Sequence, residues 1–278
     1  MNNYTSDLVN GLSKLKTEFS KRFQNTSHLP EPLPLGKSSL LPFDTLHLDI
    51  LHKFAHSNPI YHNSFESSIS DISCMIYEGD INHYWLDSIK HDTSYAPFYP
   101  TWMLSALILA LECKKMGSKQ VIDVGSGDGR IAYCSQAIGM KSFGLEIDES
   151  LILLQNSLAE DTDISFTSIQ ADATTFDYSK LELSKPVFFL SGLPEVGEML
   201  ANSVIGTILE DPNLKKSCTF VHTGTFAIKQ YSEDDSKWGW GKVLDKFNLD
   251  VKQTIVLPTH WTLDQEKDTP FIFSSPNV

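Results

Sequence analysis

Cysteine is scarce in this 278-residue sequence, and its positions follow no pattern. The four cysteines are Cys74, Cys113, Cys134 and Cys218, with no C-x-x-C pair among them and no histidine at metal-ligand spacing. Structural zinc sites and disulfide frameworks both need closely patterned cysteines. The sequence therefore predicts reduced, mostly buried thiols and no metal site.

Long apolar runs are also missing. No uninterrupted apolar stretch approaches the ~20 residues that a membrane-spanning helix requires. The opening residues, MNNYTSDLVNGL, contain neither the basic cluster nor the apolar segment of a secretory signal. These absences predict a soluble protein with no membrane span, located in the cytoplasm.

Positive charge is in deficit, since 22 Lys and Arg residues stand against 35 Asp and Glu residues and give a net charge of −13. An acidic surface repels nucleic acid backbones and favours basic partners. The composition makes a nucleic acid partner unfavourable and a basic protein substrate favourable, although the charge could also serve solubility alone.

The first 94 residues read as a helical extension. Two of its helices are predicted at Thr45 to Ala55 and Ser64 to Tyr77. The Pro-rich piece His28 to Ser39 reads as an extended connector. We expect this region to form a lid that is buried against the rest of the chain, with burial against a second copy in an oligomer as the alternative. The expectation rests on an apolar stripe at helical spacing, formed by Leu8, Leu12, Leu15, Phe19 and Phe23.

Residues 95–278 read as an α/β domain. Short apolar runs alternate with helix-like segments from Gln120 onward, which is typical of parallel strands with crossover helices. The last two runs, VKQTIVLP and PFIFSS, are close together and should pair antiparallel. The prediction is a Rossmann-like seven-stranded sheet whose last strand is inserted antiparallel.

A glycine-rich turn, VIDVGSGDGR, follows the first of these strands. Gly125, Gly127 and Gly129 form G-x-G-x-G, whereas a dinucleotide fingerprint needs its third glycine at the position of Arg130. Asp123 precedes the turn, and its carboxylate would repel a pyrophosphate but suits a positively charged ligand group. The turn therefore predicts a ligand without phosphate.

This pattern resembles motif I of the class I S-adenosylmethionine-dependent methyltransferases. The stretches YAPFYPTWM, GLPE and HWT with Asp264 further resemble the lysine methyltransferases that modify the c subunit of ATP synthase and, more loosely, the histone lysine methyltransferases that lack a SET domain. The resemblance spans about Tyr95 to Phe273 and leaves the first ninety-odd residues unmatched.

The resemblance implies a site for S-adenosylmethionine. Asp123 would reach the ammonium group, Glu146 would accept both ribose hydroxyls, and Asp172 with the backbone N–H of Ala173 would hold the adenine. The full set of implied cofactor-binding residues is Tyr99, Thr101, Asp123, Gly125, Ser126, Gly127, Gly129, Glu146, Ile147, Asp172, Ala173, Gly192 and Leu193.

The implied catalytic residues are Tyr99, Pro194, His260 and Trp261. Aromatic walls suit a lysine stem and its charge, and Trp102 is a further candidate that could equally be a core residue. His260 and His222 are possible proton acceptors, with a purely structural role open for His222.

The predicted activity is methyl transfer to a protein lysine amine. The strand end LSGLPE lacks the (N/D)-PP-(Y/F) sequence of amide and base-amine methylation, and no cysteine follows a proline as cytosine-C5 chemistry would need. A small-molecule or RNA N/O-methyltransferase is the alternative enzyme. A partner protein that binds the cofactor without turnover is the alternative outside enzymes.

Overall fold

A seven-stranded mixed sheet forms the centre of the molecule. The computed structural model describes residues 4–23, 29–80, 100–190, 192, 194–224 and 240–277. The helices are α1 (Tyr4–Arg22), α2 (Thr45–Ser57), α3 (Met103–Lys115), α4 (Arg130–Ala137), α5 (Glu149–Thr162), α6 (Pro194–Glu210), α7 (Pro212–Ser217) and α8 (Gly241–Lys246). The strands are β1 (Leu29–Pro34), β2 (Tyr61–Ile69), β3 (Ile72–Gly79), β4 (Gln120–Val124), β5 (Lys141–Glu146), β6 (Thr167–Gln170), β7 (Pro186–Leu190), β8 (Thr219–Thr223), β9 (Leu249–Leu257) and β10 (Thr269–Pro276).

The central sheet has the strand order β6-β5-β4-β7-β8-β10-β9. Strands β4 to β8 run parallel, and β10 is inserted antiparallel between β8 and β9. The predicted Rossmann-like α/β fold is confirmed, including its antiparallel last strand. Every residue of β4 and β7 is buried, as expected for central parallel strands covered on both faces. Because β4, β5 and β6 run parallel, their carboxyl ends lie together at one edge of the sheet.

The N-terminal region contains a second sheet that the sequence reading missed. Strands β1, β3 and β2 form an antiparallel sheet in that order. The predicted helix over Ser64 to Tyr77 is wrong, because β2 and β3 pair there as a hairpin. Its turn residues Ser70 and Asp71 both have positive φ, 47° and 64°, as a two-residue hairpin turn requires. The helix over Thr45 to Ala55 is confirmed as α2.

The Pro-rich connector is extended, as predicted, but part of it is also a sheet strand. Strand β1 pairs with β3 along its length, and all six of its residues are buried. It is an edge strand, which is where proline is tolerated in a sheet.

Helix α1 buries its apolar stripe within the same chain. Leu8, Leu12, Leu15 and Phe19 are fully buried and belong to one core with α3 and β4. Phe19 packs edge-on against Trp102 with 6.0 Å between ring centroids. The stripe thus meets the core, as favoured, while the predicted boundary at residue 94 lies outside the described residues.

The four thiols are buried and unpaired, as the sequence predicted. Burial raises the pKa of Cys74 and of Cys218 to about 12, which keeps both protonated and unreactive. Within the part of the chain that the structure describes, no helix is both long and apolar enough to cross a bilayer.

Candidate functional site

The glycine turn connects β4 to α4 in a left-handed conformation. Gly125, Gly127 and Gly129 have φ values of 71°, 57° and 80°, a region that residues with a Cβ rarely adopt. A Cβ on Gly129 would lie 2.7 Å from the ring of Phe166, so that glycine is required by packing. A Cβ on Gly125 would meet nothing within 4 Å, so this part of the turn faces open space.

Gln155 of α5 holds the turn from below. Its side-chain Nε2 donates to Ser126 Oγ at 2.8 Å and to the carbonyl of Gly127 at 2.7 Å. Gln155 is fully buried on the apolar face that also carries Leu151 and Leu158. Sequence reading missed it, although an amide inside a buried apolar stripe is a signal, because such groups need hydrogen-bond partners.

Glu146 ends β5 and contacts the same turn. Its Oε2 accepts the Gly127 N–H at 2.9 Å, and its Oε1 accepts the N–H groups of Ile147 and Asp148 at 2.8 and 3.1 Å. Burial raises the pKa of Glu146, and these three N–H groups oppose that rise. A carboxylate has about four acceptor sites, so about one remains for a ligand hydroxyl rather than the two predicted for the ribose.

Asp123 lies one residue before the end of β4 and is 1% exposed. In the sheet it is flanked by Gly144 of β5 and Phe189 of β7. The next residues, Gly125 and Ser126, both donate their N–H groups to the carbonyl of Leu145, at 2.9 and 3.1 Å. Asp123 is thereby a buried acid two residues before the first glycine of the turn.

The end of β6 reaches the same edge. Ala171 donates its N–H to the carbonyl of Glu146 at 2.9 Å. Asp172 is exposed and caps its own turn, with Oδ1 accepting from the N–H of Thr174 at 2.8 Å. Ala173 is buried, whereas Ile147 is 40% exposed. An apolar side chain thus lies open beside Glu146, where an adenine ring could pack.

A buried ionic cluster includes Asp128, a residue of the same turn. Arg130 donates from Nη2 to Asp128 Oδ2 at 2.6 Å and from Nη1 to Glu31 Oε1 at 3.1 Å. Burial opposes the charge of Arg130, but Asp128 and Glu31 outweigh it and hold the pKa well above its ordinary value. None of these three residues was given a role by the sequence. Glu31 carries no sequence signal, because it stands between prolines in the connector.

Thr101 and Trp102 precede α3, next to the cluster. Thr101 forms a β-bridge with Thr259, and its carbonyl accepts a hydrogen bond from Arg130. Trp102 is 1% exposed, so the core role left open for it is the one observed. The predicted cofactor ligands Tyr99 and Leu193 lie outside the described residues.

The segment after β7 approaches α6 closely. A Cβ on Gly192 would lie 2.9 Å from the Cα of Gly197, so glycine is needed there for packing. Pro194 is the first residue of α6, where its fixed φ suits a helix start. Both lie beyond the carboxyl end of β7, which neighbours β4 in the sheet.

The two candidate proton acceptors differ in setting. His260 and Trp261 lie in a short 3-10 helix, His260–Thr262, and His260 Nε2 is 3.5 Å from Glu31 Oε1. Burial lowers the pKa of His260, an effect that Glu31 opposes, so the ring is neutral near pH 7. His222 Nε2 lies 2.9 Å from Ser274 Oγ, and burial lowers its pKa to about 3. For His222 this setting favours the structural role.

The structure brings most of the predicted residues that it describes into two groups, and Gly192 and Pro194 lie apart from both, beyond β7. One lies at the ends of β4, β5 and β6 and contains Asp123, Gly125, Ser126, Gly127, Gly129, Glu146, Ile147, Asp172 and Ala173. The other contains Thr101, His260 and Trp261, and Arg130 joins it to the first. No group of three or more potential metal ligands occurs among the residues described.

The solved structures named below resemble this chain distantly. No protein family model matches the chain, and no match was found among curated proteins. It is similar to the Pyrococcus abyssi tRNA (uracil-54, C5)-methyltransferase in complex with S-adenosyl-L-homocysteine, with 11% identity over 76% of this chain and 43% of that one and a TM-score of 0.46. It is also similar to a glycopeptide N-methyltransferase complexed with S-adenosyl-L-methionine, with 14% identity over 67% of this chain and 99% of that one and a TM-score of 0.45. The ribosomal protein L11 methylase of Lactobacillus delbrueckii subsp. bulgaricus is similar with 12% identity over 63% of this chain and 79% of that one and a TM-score of 0.43. Likenesses this weak say nothing of what this chain binds.

Proposed function

We propose that this protein binds S-adenosylmethionine at the carboxyl ends of β4 to β6 and transfers its methyl group to a lysine side chain of a basic protein segment. One observation carries the proposal. The glycine turn is open at Gly125, where a Cβ would meet nothing within 4 Å, and is hooked at Gly127 by the strand-end carboxylate of Glu146. A ligand of the turn would thus meet the open space at Gly125, the carboxylate of Glu146 and the exposed Ile147 at once.

The carboxylates near the turn suit this cofactor better than a dinucleotide. Asp123 and Glu146 are carboxylates at the turn, which favour an ammonium and ribose hydroxyls and disfavour phosphate. When bound, S-adenosylmethionine supplies a methyl group activated on a positively charged sulfur. The protein's own contribution is to hold the turn, through Gln155 and Glu146, and to align the acceptor.

The acceptor amine must be neutral before it can accept a methyl group. His260 is neutral near pH 7 and can take the amine proton, after which Glu31, 3.5 Å away, would stabilise the imidazolium. Trp261 beside it offers an aromatic wall for the lysine stem. The net charge of −13 favours a basic segment as the substrate. The buried, unpaired thiols fit a cytoplasmic location.

Calorimetry with a matched pair of glycine variants tests the cofactor site. Gly125 and Gly117 both have positive φ, 71° and 83°, and a Cβ on either meets nothing within 4 Å. Gly125→Val and Gly117→Val therefore carry similar backbone strain, but only Gly125 belongs to the turn. We expect wild type and Gly117→Val to bind S-adenosylmethionine equally and Gly125→Val to lose about a hundredfold or more. Equal affinity of both variants would contradict the proposed site.

The acceptor is tested separately. Lysate proteins incubated with the enzyme and radiolabelled S-adenosylmethionine should give a labelled band in which methyl-lysine is found by mass spectrometry. Label in RNA or in small molecules alone would contradict the lysine assignment while leaving methyl transfer intact.

A further inference from the structure

Glu31 links two strands of the N-terminal sheet and joins that sheet to two other parts of the chain. It is 1% exposed in β1. Its Oε2 accepts from the hydroxyl of Tyr61 at 2.6 Å, and its Oε1 accepts from the N–H of Met103 at 3.0 Å and from Arg130 Nη1 at 3.1 Å. A single carboxylate thus fixes β2, the start of α3 and the residue that follows the glycine turn.

Arg130 connects Glu31 to the glycine turn. It directly follows Gly129, and its guanidinium binds both the carboxylate of Asp128 and the carbonyl of Thr101. Asp128 lies between Gly127 and Gly129 in the turn itself. Arg130 therefore sets the position of the turn relative to the segment before α3.

A second contact from the N-terminal region reaches the same residue. Asn58, just after α2, donates from Nδ2 to Asp128 Oδ2 at 3.0 Å and is 1% exposed. Burial works against the ionised form of Glu31, but Arg130 outweighs it and keeps the pKa of Glu31 below its ordinary value. The carboxylate is charged, and removing it would leave buried donors unpaired.

We infer that Glu31 is a positioning residue for the cofactor turn, acting through Arg130, so that the N-terminal sheet is part of the cofactor site. The inference rests on the proposed function. A change in Glu31 shifts Arg130 and hence the turn that must contact the cofactor. Because coupling between sites is reciprocal, cofactor binding also stabilises β1.

The experiment compares two buried ion pairs that join the N-terminal region to the rest of the chain. Glu31–Arg130 reaches the turn, whereas Lys16–Asp268, with an Nζ to Oδ1 distance of 3.1 Å, joins α1 to the segment before β10. Glu31→Gln and Asp268→Asn each remove one charge from a pair of similar burial. Affinity for S-adenosylhomocysteine is measured by calorimetry, and the Tm of each variant is recorded.

We expect both variants to lower the Tm, but only Glu31→Gln to weaken binding, by about tenfold or more, with Asp268→Asn within about twofold of wild type. Hydrogen exchange of residues 29–34 in the wild-type protein should slow when S-adenosylhomocysteine is added. A merely structural Glu31 would change the Tm without either effect.

The outcomes separate the two hypotheses. No binding by wild type overturns the proposed function and the coupling with it. Binding by wild type together with normal affinity in Glu31→Gln, or with equal losses in both variants, overturns the coupling alone. If Glu31→Gln does not fold, Tyr61→Phe removes one donor to Glu31, and unchanged affinity in that variant overturns the coupling.

Discussion

The glycine-turn edge and the N-terminal region are held in place by different kinds of contact. At the edge, Glu146 and Gln155 bind backbone groups of Gly127 that lie 19 and 28 positions away in sequence. In the N-terminal region, side-chain pairs join residues 99 and 255 positions apart, Glu31 with Arg130 and Ser13 with Asp268. The first region is thus stabilised by hydrogen bonds from side chains to the backbone of one turn. The second is stabilised by side-chain pairs that join distant parts of the chain.

This difference predicts where damage will spread. A change at the edge removes a few hydrogen bonds from one turn, so it should lower ligand affinity and leave the fold intact. A change in the N-terminal region disturbs a core shared between α1, α3 and β4, so it should lower the stability of the entire chain.

The largest expected effect is the loss of folding on deletion of residues before Pro42. If this region were only a lid, as the sequence predicts, its removal would leave cofactor binding within a few fold. Because α1 and β1 lie in the same core as β4, and Glu31 pairs with the buried Arg130, we now expect the deletion to abolish cooperative unfolding and cofactor binding together. Circular dichroism melting measures this.

Two leucines of equal size serve as controls for that deletion. Leu12 is fully buried in α1, and Leu46 is 64% exposed in α2. Leu12→Ala should cost about 2–5 kcal/mol of the free energy of unfolding, and Leu46→Ala less than about 0.5 kcal/mol. A deletion variant that melts cooperatively and binds S-adenosylmethionine would contradict this expectation and support the lid that the sequence predicts.

The same contrast explains how far the sequence could be read. The β4 to β8 alternation and the antiparallel β9 and β10 follow from periodicity, the glycine turn follows from local spacing, and all three were predicted. The role of Glu146 came from the resemblance and stays a prediction. The β2–β3 hairpin was not, although Ile72, Cys74 and Ile76 alternate inward with period two. Its polar turn, Ser70 and Asp71, lacks the glycine that usually marks such turns.

The ionic cluster could not have been predicted by such rules. Glu31 and Asn58 find Arg130 and Asp128 only once the chain has folded, and no spacing in the sequence encodes a contact across 70 or 99 positions. Gln155 was accessible in principle, as a polar residue within an apolar helix face.

A smaller effect is expected at Glu146, and it stays local. Glu146→Ala removes a ligand acceptor and also releases the N–H of Gly127. At about 1–3 kcal/mol for unmet hydrogen bonds, affinity for S-adenosylmethionine should fall by roughly ten- to a hundredfold while the protein remains folded. Calorimetry measures the affinity.

Glu149→Ala is the matched control, because this exposed acid begins α5 only three positions away. Its affinity should stay within about twofold of wild type. A loss below about twofold in Glu146→Ala itself would instead indicate Asp148 as the ribose partner.

The smallest effect on activity is expected at His222, which belongs to neither region. Burial lowers its pKa from 6.5 to about 3, so its contribution to stability is complete above pH 6.5 and is lost as pH falls towards 3. Below pH 6.5 the unfolded state binds a proton that the folded state does not, which costs about 1.4 kcal/mol per pH unit. Between pH 6.5 and 5, the free energy of unfolding of His222→Leu, measured with denaturant, should therefore fall by about 2 kcal/mol less than that of wild type.

Methyl transfer by His222→Leu at pH 7.5 should be nearly unchanged, because a base as weak as His222, bonded to Ser274, takes no proton from an amine. A large drop in kcat with an unchanged pH slope would make His222 the proton acceptor in place of His260.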